Sequence, residues 1–283
     1  MAILSIQSSV AYGHAGNSAA VFPLQRLGKE VWPVLTVHFS NHTGYGEWRG
    51  PLLTAEDVAA VIRGIEERGV LAECDAVLSG YQGAEDVGAV VLDAVARVKA
   101  VRPDAIYCCD PVMGDVGRGM FVRPGIPEFM RTRVVPRADV VTPNHFELDF
   151  LTGRASTTLE QLLGNVDRLL AEGPSVALVT SAITDDTPAD ALDLVAVSRD
   201  GAWRTRTPRL SLAPNGAGDV TAAVLLANLL DGHPLDVALA RTTSSVFAVI
   251  EATAASGSRE LQLVGSQERL AHPRLEFTPE RLR

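Results

Sequence analysis

The sequence has 283 residues, of which 47% are hydrophobic and 21% are charged, as is ordinary for a chain with a packed core. Lys and Arg number 25 and Asp and Glu 34, giving a formal net charge of −9. This charge argues against a nucleic-acid partner, because such binding needs cations to neutralise phosphates. No stretch approaches the roughly 20 apolar residues of a membrane span. The three cysteines include an adjacent pair, which suits free, buried thiols in a cytoplasmic protein.

Short apolar runs alternate with longer amphipathic ones. In chain order the pattern predicts strand 2–7, helix 15–28, strand 31–37, helix 54–69, strand 75–81, helix 84–100, strand 105–112, strand 138–144, helix 146–153, helix 159–173, strand 175–181, hairpin 191–207, helix 216–230 and helix 234–255. Thr54, with Asp57 three residues on, is typical of an N-terminal helix cap. Near-continuous apolar strands alternating with helices predict a mostly parallel sheet covered on both faces. We therefore expect a single α/β domain over residues 1–283, built as a three-layer α/β/α sandwich.

Polar residues follow the predicted strands, where the carboxyl ends of parallel strands line a cleft. In strand order they are Ser8; His42, Thr43 and Gly44; Tyr81; Asp110 and Asp115; Thr142 and Glu147; and Thr180 and Ser181. The carboxylates of Asp110, Asp115 and Glu147 are hard oxygen donors that suit Mg²⁺. Each residue also has an alternative role in a turn or helix cap, which the sequence leaves open. His38 and His42 share a loop but lack the third ligand of a zinc site.

The segment N-G-A-G-D, residues 215–219, precedes a long apolar helix pattern. Gly216, Ala217 and Gly218 form a turn of small residues at a helix start, where free N–H groups and the helix dipole attract anions. The phosphate-binding pattern GxxxxGK[ST] does not occur in the sequence. An anion hole beside Asp219 suits phosphoryl transfer to a hydroxyl, since the carboxylate accepts the proton while N–H groups hold the developing charge. Asp219 as a mere helix cap is the alternative that remains.

Several motifs together resemble pyridoxal kinases of the ribokinase-like superfamily. They are IQSSVAYGHAGNSAAVFPLQRLG from residue 6, FSNHTGYG from residue 39, VLSGY from residue 77, CDPVMGD from residue 109, TPNHFELDFLTG from residue 142 and NGAGDVTAA from residue 215. The combination of YGHAGNSAA with FSNHTGYG is specific, whereas GAGD alone marks the wider superfamily.

The resemblance implies ATP-dependent phosphorylation of the 5′-hydroxymethyl group of pyridoxal, pyridoxine or pyridoxamine in vitamin B6 salvage. It implies Mg²⁺, with a monovalent cation such as K⁺, and a cytoplasmic homodimer. By motif, Asp219 would be the general base and the Gly216–Gly218 backbone the anion hole. The vitamer would contact Ser8, His42, Thr43, Gly44 and Tyr81. ATP would contact Asp110, Phe121, Thr142, Glu147, Thr180 and Ser181, with Asp110, Asp115, Thr142 and Glu147 forming the metal region.

The sequence departs from some bacterial members at two positions. Thr180 stands where they have Lys, and Gly44 stands where they have Gln, which leaves affinity and substrate preference open. Two alternatives remain. Hydroxymethylpyrimidine kinases share the fold and the DPVM segment but typically have Cys in place of Asp219, and a non-catalytic B6-vitamer binding protein would not need the acidic cluster.

Overall fold

A computed structural model describes residues 1–212 and 214–283. Within these residues the strands are β1 Ala2–Val10, β2 Glu30–Phe39, β3 Cys74–Ser79, β4 Ile106–Cys109, β5 Gly114–Asp115, β6 Gly119–Met120, β7 Val140–Val141, β8 Val176–Ala182, β9 Ala191–Ser198, β10 Gly201–Pro208 and β11 Glu280–Arg281. The α-helices are α1 Asn17–Arg26, α2 Ala55–Glu66, α3 Glu85–Val101, α4 Ile126–Phe129, α5 His145–Thr152, α6 Leu159–Ala171, α7 Ala217–Leu230, α8 Leu235–Ser256 and α9 Gln267–Ala271.

The main sheet has the strand order β11-β10-β9-β8-β7-β4-β3-β1-β2 in the described part of the chain. From β2 to β8 all neighbouring strands are parallel. β9, β10 and β11 then continue the sheet with antiparallel pairings. The predicted, mostly parallel sheet and the predicted hairpin near its end are confirmed.

Helices cover both faces of the sheet. On one face, apolar side chains of α2, α3, α5 and α6 form a core with alternate residues of the strands. On the other face, α1, α7 and α8 pack against the remaining strand residues. Cys108 and Cys109 illustrate the alternation, because they are fully buried neighbours on β4 that belong to opposite cores. Successive side chains of a strand point to opposite faces, so the adjacent pair serves packing on both, as predicted.

Helix α7 is apolar all round because it is enclosed. Residues Val220 to Asn228 are buried, between the sheet and the helices α1 and α8. A helix buried on every side needs no polar face. Its N-terminus therefore emerges from the core at one fixed place, which is the carboxyl edge of the parallel strands.

Most predicted elements match the observed ones within a few residues, but β7 is much shorter than the predicted strand 138–144. Val140 and Val141 pair with β4 and β8. After them Pro143 has no N–H for a ladder, and Asn144 instead caps α5 by accepting a hydrogen bond from the Glu147 amide at 2.9 Å. Among the described residues no helix is both long and apolar enough to span a membrane.

Candidate active site

The turn before α7 has the geometry of an anion hole. Gly216 is the N-cap of α7, with a left-handed φ of 87°, and the first intrahelical bond runs from the Val220 amide to the Gly216 carbonyl at 3.0 Å. The amides of Ala217 and Gly218 precede that bond, so they lie among the N–H groups that helical bonding leaves unused. An anion placed at this helix start would meet these donors and the positive end of the helix dipole.

The loop that follows β1 lies directly on this turn. A Cβ atom added to Gly216 would lie only 2.1 Å from the backbone carbonyl oxygen of His14. The same loop is held close to the strand it leaves, because a Cβ on Gly16 would lie 2.3 Å from the Ser8 hydroxyl oxygen. Two glycines therefore allow the first loop to touch both the anion hole and the predicted vitamer contact Ser8.

Asp219 is held by the same loop. The Gly16 amide faces its carboxylate and favours the charged form, which links the acid to a residue more than 200 positions earlier. Burial raises the pKa of Asp219 to about 6, although the amides of Gly16 and of Asp219 itself favour the charged form. A carboxylate with a pKa near 6 is ionised at neutral pH yet more basic than an ordinary Asp, as a general base should be.

A second carboxylate, Asp110, lies beside the anion hole at the end of β4. One of its oxygens accepts a hydrogen bond from the Thr142 hydroxyl at 3.1 Å, and the other lies 3.8 Å from the Cβ position of Gly218. The pKa of Asp110 is raised well above its ordinary value, first by burial and then by the negative charges of Asp219 and Glu147. The site thus concentrates negative charge that a cation would neutralise.

Glu147 has a structural role as well as a place in this cluster. It is the third residue of α5, where one carboxylate oxygen accepts from the Asn144 amide at 2.9 Å and the other from the Met113 amide at 2.8 Å. Burial raises its pKa to about 7, against those hydrogen bonds and helped by the charge of Asp115. Capping, which the sequence left open for the residues of this segment, is therefore observed for Asn144 and Glu147.

The predicted vitamer contacts come from two other loops. Nδ1 of His42 accepts a hydrogen bond from the Gly44 amide at 3.0 Å, which fixes the imidazole over the short 3-10 turn Thr43–Tyr45. Burial and the nearby Arg118 lower the pKa of His42, so its ring is neutral at pH 7. Tyr81 packs against a small apolar cluster beneath this loop.

Gly44 leaves room for two side chains. A Cβ at this position would lie 2.9 Å from His42 Nδ1 and 3.1 Å from Arg118 Nη2. Arg118 comes from the β5–β6 hairpin, and its guanidinium carbon also lies 5.7 Å from the ring centroid of Phe121. The glycine that departs from some bacterial members thus allows the hairpin to approach the loop that follows β2.

The predicted nucleotide contacts Thr180 and Ser181 lie at the end of β8. The Thr180 amide donates to the Pro143 carbonyl at 2.9 Å, which places this strand end beside Thr142. Ser181 has a φ of 51°, the only positive value at a non-glycine position in the described chain. Such conformations cluster at functional sites. Phe121 is 47% exposed on the hairpin that leaves Asp115.

Comparison with known proteins decides the family. The phosphomethylpyrimidine kinase family model matches residues 52–263. Pyridoxal kinase PdxY of Rubrobacter xylanophilus is 59% identical over 281 residues, covering 99% of this chain and 97% of the relative. Pyridoxal kinase PdxY of Leifsonia xyli is 56% identical over 282 residues and is covered completely. The chain belongs to the pyridoxal kinase family.

A solved structure of the family agrees with this conclusion. Pyridoxal kinase of Leishmania donovani, in complex with ADP and pyridoxamine, superposes with a TM-score of 0.92 at 31% identity, covering 100% of this chain and 99% of that one. The ribokinase-like α/β fold and the kinase class that the motifs predicted are confirmed. The roles of the individual residues stay predictions, carried by the geometry described above.

Two residues at the site of this pyridoxal kinase family member, Arg118 and Glu260, are not predicted from the sequence. Arg118 lies 3.5 Å from the Asn215 side chain and so links the hairpin to the anion-hole turn. Glu260, after α8, accepts hydrogen bonds from the Tyr45 hydroxyl and the His14 amide. Neither residue carries a local signal in the sequence, because each reaches the site from a segment without periodicity.

Among the described residues no group of three or more His, Cys, Asp or Glu side chains is arranged to hold a metal ion.

Proposed function

We propose that the protein transfers the γ-phosphoryl group of ATP to the 5′-hydroxymethyl group of pyridoxal, and of pyridoxine and pyridoxamine, to give the 5′-phosphate. The observation that carries this proposal is the contact of the loop after β1 with the turn before α7, where a Cβ on Gly216 would lie 2.1 Å from the His14 carbonyl oxygen and the Gly16 amide favours the charged form of Asp219. This contact places the loop that carries the YGHAGNSAA motif against the Gly216–Gly218 turn and Asp219, the groups suited to phosphoryl transfer.

In the proposed reaction Asp219 accepts the proton of the 5′-hydroxyl group as its oxygen attacks the γ-phosphorus. The bond from that phosphorus to the bridging oxygen breaks, and ADP leaves with the bonding electrons. The amides of the Gly216–Gly218 turn stabilise the negative charge on the phosphoryl oxygens. Because there is little covalent chemistry for a kinase to perform, positioning and electrostatics account for most of the rate.

The acidic cluster fits Mg²⁺ bound together with substrate phosphates. Mg²⁺ commonly uses one or two protein carboxylates, with waters and phosphates as the other ligands, so three protein ligands are not required. Asp110 is the best-placed donor, since one of its carboxylate oxygens lies 3.8 Å from the Cβ position of Gly218, at the turn proposed to bind the phosphoryl group. Asp115, Thr142 and Glu147 are proposed to complete the region. Mg²⁺ would neutralise phosphate charge there, and K⁺ is proposed as the monovalent cation.

The remaining proposals concern the whole protein. We propose that residues 1–283 act as one kinase domain, that the protein forms a homodimer and that it works in the cytoplasm. The free cysteines Cys74, Cys108 and Cys109, all buried, support a reducing compartment.

A substrate panel tests the proposed activity. Coupled ATPase assays with pyridoxal, pyridoxine, pyridoxamine and hydroxymethylpyrimidine should show turnover of the B6 vitamers. Hydroxymethylpyrimidine kinase is the second candidate, because the matching family model bears the related name, and turnover of the pyrimidine alone would favour it. Tight vitamer binding without any turnover would instead identify a non-catalytic binding protein.

A further inference from the structure

A short segment after α8, residues 258–262, lies against both substrate-side loops, and we call it the brace. Its central residue Glu260 is only 8% exposed. One carboxylate oxygen of Glu260 accepts a hydrogen bond from the Tyr45 hydroxyl at 2.7 Å. The other accepts from the His14 amide at 2.9 Å. A single buried carboxylate thus joins the loop after β1 to the loop after β2.

The first loop is shaped around this carboxylate. Gly13 has a φ of +87°, and a Cβ on it would lie 2.0 Å from a Glu260 carboxylate oxygen. The brace also fixes its own glutamate, because Ser258 accepts a hydrogen bond from the Glu260 amide at 2.9 Å. With both ends held, the carboxylate is a fixed acceptor rather than a mobile surface group.

Arg259 holds the same tyrosine from another side. Its guanidinium carbon lies 4.2 Å from the ring centroid of Tyr45, and Nη2 lies 3.5 Å from the Gly44 carbonyl oxygen. The hydrogen bond to Glu260 is the main reason that the pKa of Tyr45 is raised to about 12. The phenol therefore stays protonated at neutral pH and remains a donor to the carboxylate.

The brace also reaches the anion hole. The side chain of Leu261 lies 3.2 Å from the Cβ position of Gly216, and Leu261 is buried in the core that contains Val220 of α7. The loops after β1 and β2 and the turn before α7 therefore all contact the same five-residue segment. Asp110, Thr142, Thr180 and Ser181, four of the predicted nucleotide contacts, lie on or just after β4, β7 and β8, and none of them takes part in these hydrogen bonds.

We propose that Glu260 is a positioning residue for the vitamer, which ties Tyr45 to His14 and so fixes the Thr43–Gly44 loop over the anion hole. The proposal rests on the proposed function, because it assigns the vitamer to these loops. Loss of the carboxylate leaves Arg259 to hold Tyr45 and removes the acceptor of the His14 amide. Because both lost hydrogen bonds are made to a charged group, and such bonds are the stronger class, the KM for pyridoxal should rise on the order of 10–100-fold.

The test uses Glu260→Ala, Glu260→Gln, Tyr45→Phe and the double variant Glu260→Ala/Tyr45→Phe. Steady-state kinetics should show a raised KM for pyridoxal with the KM for ATP within about threefold of wild type, since the ATP contacts lie elsewhere. Glu260→Gln should recover part of the loss, because its amide oxygen can still accept one of the two hydrogen bonds. In the double variant the Tyr45 change should add little, because both changes remove one contact.

Glu268→Ala is the matched control, since Glu268 pairs with Arg26 on an exposed surface with 76% of its side chain accessible. It should leave both KM values unchanged. Equal increases in the KM for pyridoxal and for ATP in Glu260→Ala, or additive effects of the Tyr45 and Glu260 changes, would overturn the positioning role. Tyr45→Phe keeps the test open should Glu260→Ala not fold. If wild type phosphorylates only hydroxymethylpyrimidine, the proposed function fails, and the same variants test positioning through the KM for that substrate.

Discussion

Gly216→Ala tests the contact between the first loop and the anion hole most directly. The new methyl carbon would lie 2.1 Å from the His14 carbonyl oxygen, and the residue would keep a φ of +87°. The left-handed backbone alone costs a non-glycine residue about 1–3 kcal/mol. The clash adds a different effect, because backbone atoms cannot rotate away as a flexible side chain can. His14 and the turn must separate by about 1 Å, and a misplacement of that size can reduce kcat about 10²-fold.

Gly232→Ala separates the two effects. Gly232, in the loop after α7, has a similar φ of +76°, yet a Cβ there would meet no described atom within 4 Å. Both variants should be less stable than wild type. Each kcal/mol of destabilisation should lower the Tm by about 2–4 °C in a chain of roughly this size. Only Gly216→Ala should lose kcat with pyridoxal and ATP in a coupled assay.

The result that would refute this reasoning is a Gly216→Ala enzyme with kcat within about threefold of wild type. An equal loss of kcat in Gly232→Ala would also refute it, because the defect would then follow backbone strain anywhere in the fold. Thermal unfolding of each variant shows whether the strain was introduced as intended.

Four further predictions follow from individual contacts. Asp219→Asn should lower kcat by about 10² or more, measured at saturating pyridoxal, because general-base catalysis contributes about 10²–10⁴. The kcat/KM for pyridoxal should fall as the pH drops through about 6, the raised pKa of Asp219. Glu147→Ala should lower Tm, because it removes the acceptor for the Asn144 and Met113 amides. Arg204→Ala should destabilise by about 1.5–3 kcal/mol in urea unfolding, since the buried Arg204 donates hydrogen bonds to Asp186 and Glu280, whereas the 93% exposed Arg199 should be dispensable.

Local patterns predicted the elements whose signals lie within a few residues of each other. The cap at Thr54 is an example, since Thr54 and Asp57 exchange hydrogen bonds across three positions as the sequence indicated. The predicted strand 138–144 ends later than β7, which ends at Val141. The apolar run continues the strand pattern up to Thr142, but Asn144 is the N-cap of α5 and so cannot extend the strand. The two-residue strands β5 and β6 are too short to show a period.

The candidate site divides in the same way. Asp219 and its glycine turn are adjacent in sequence, so the sequence predicts a shared role for them, with a helix cap as the alternative. Glu260 could not be predicted, because its bond to the His14 amide spans 246 positions and nothing in its own segment indicates which backbone amide it meets. Long-range contacts of this kind depend on the packing of α7 and α8 against the sheet, which only the folded structure supplies.

The pH prediction is the one that bears most directly on the base. Burial raises the pKa of Asp219 to about 6, and only the ionised carboxylate can accept the proton of the 5′-hydroxyl group. Activity should therefore be full above that value and fall about tenfold per pH unit below it. Phosphate groups also titrate near pH 6, so the profile of wild type alone mixes enzyme and substrate ionisations.

Asp219→Asn supplies the correction. Substrate ionisation affects the variant and the wild type equally, whereas only wild type has the titrating base. The kcat/KM of wild type divided by that of Asp219→Asn should be measured between pH 5 and pH 8. This ratio should be constant at the alkaline end and fall towards the acid end, with a midpoint near the pKa of Asp219. A ratio that does not change across this range would show that Asp219 does not act as the base, even if Asp219→Asn is slow. The loss of activity at low pH would then come from ionisation of the substrate, which affects both enzymes equally.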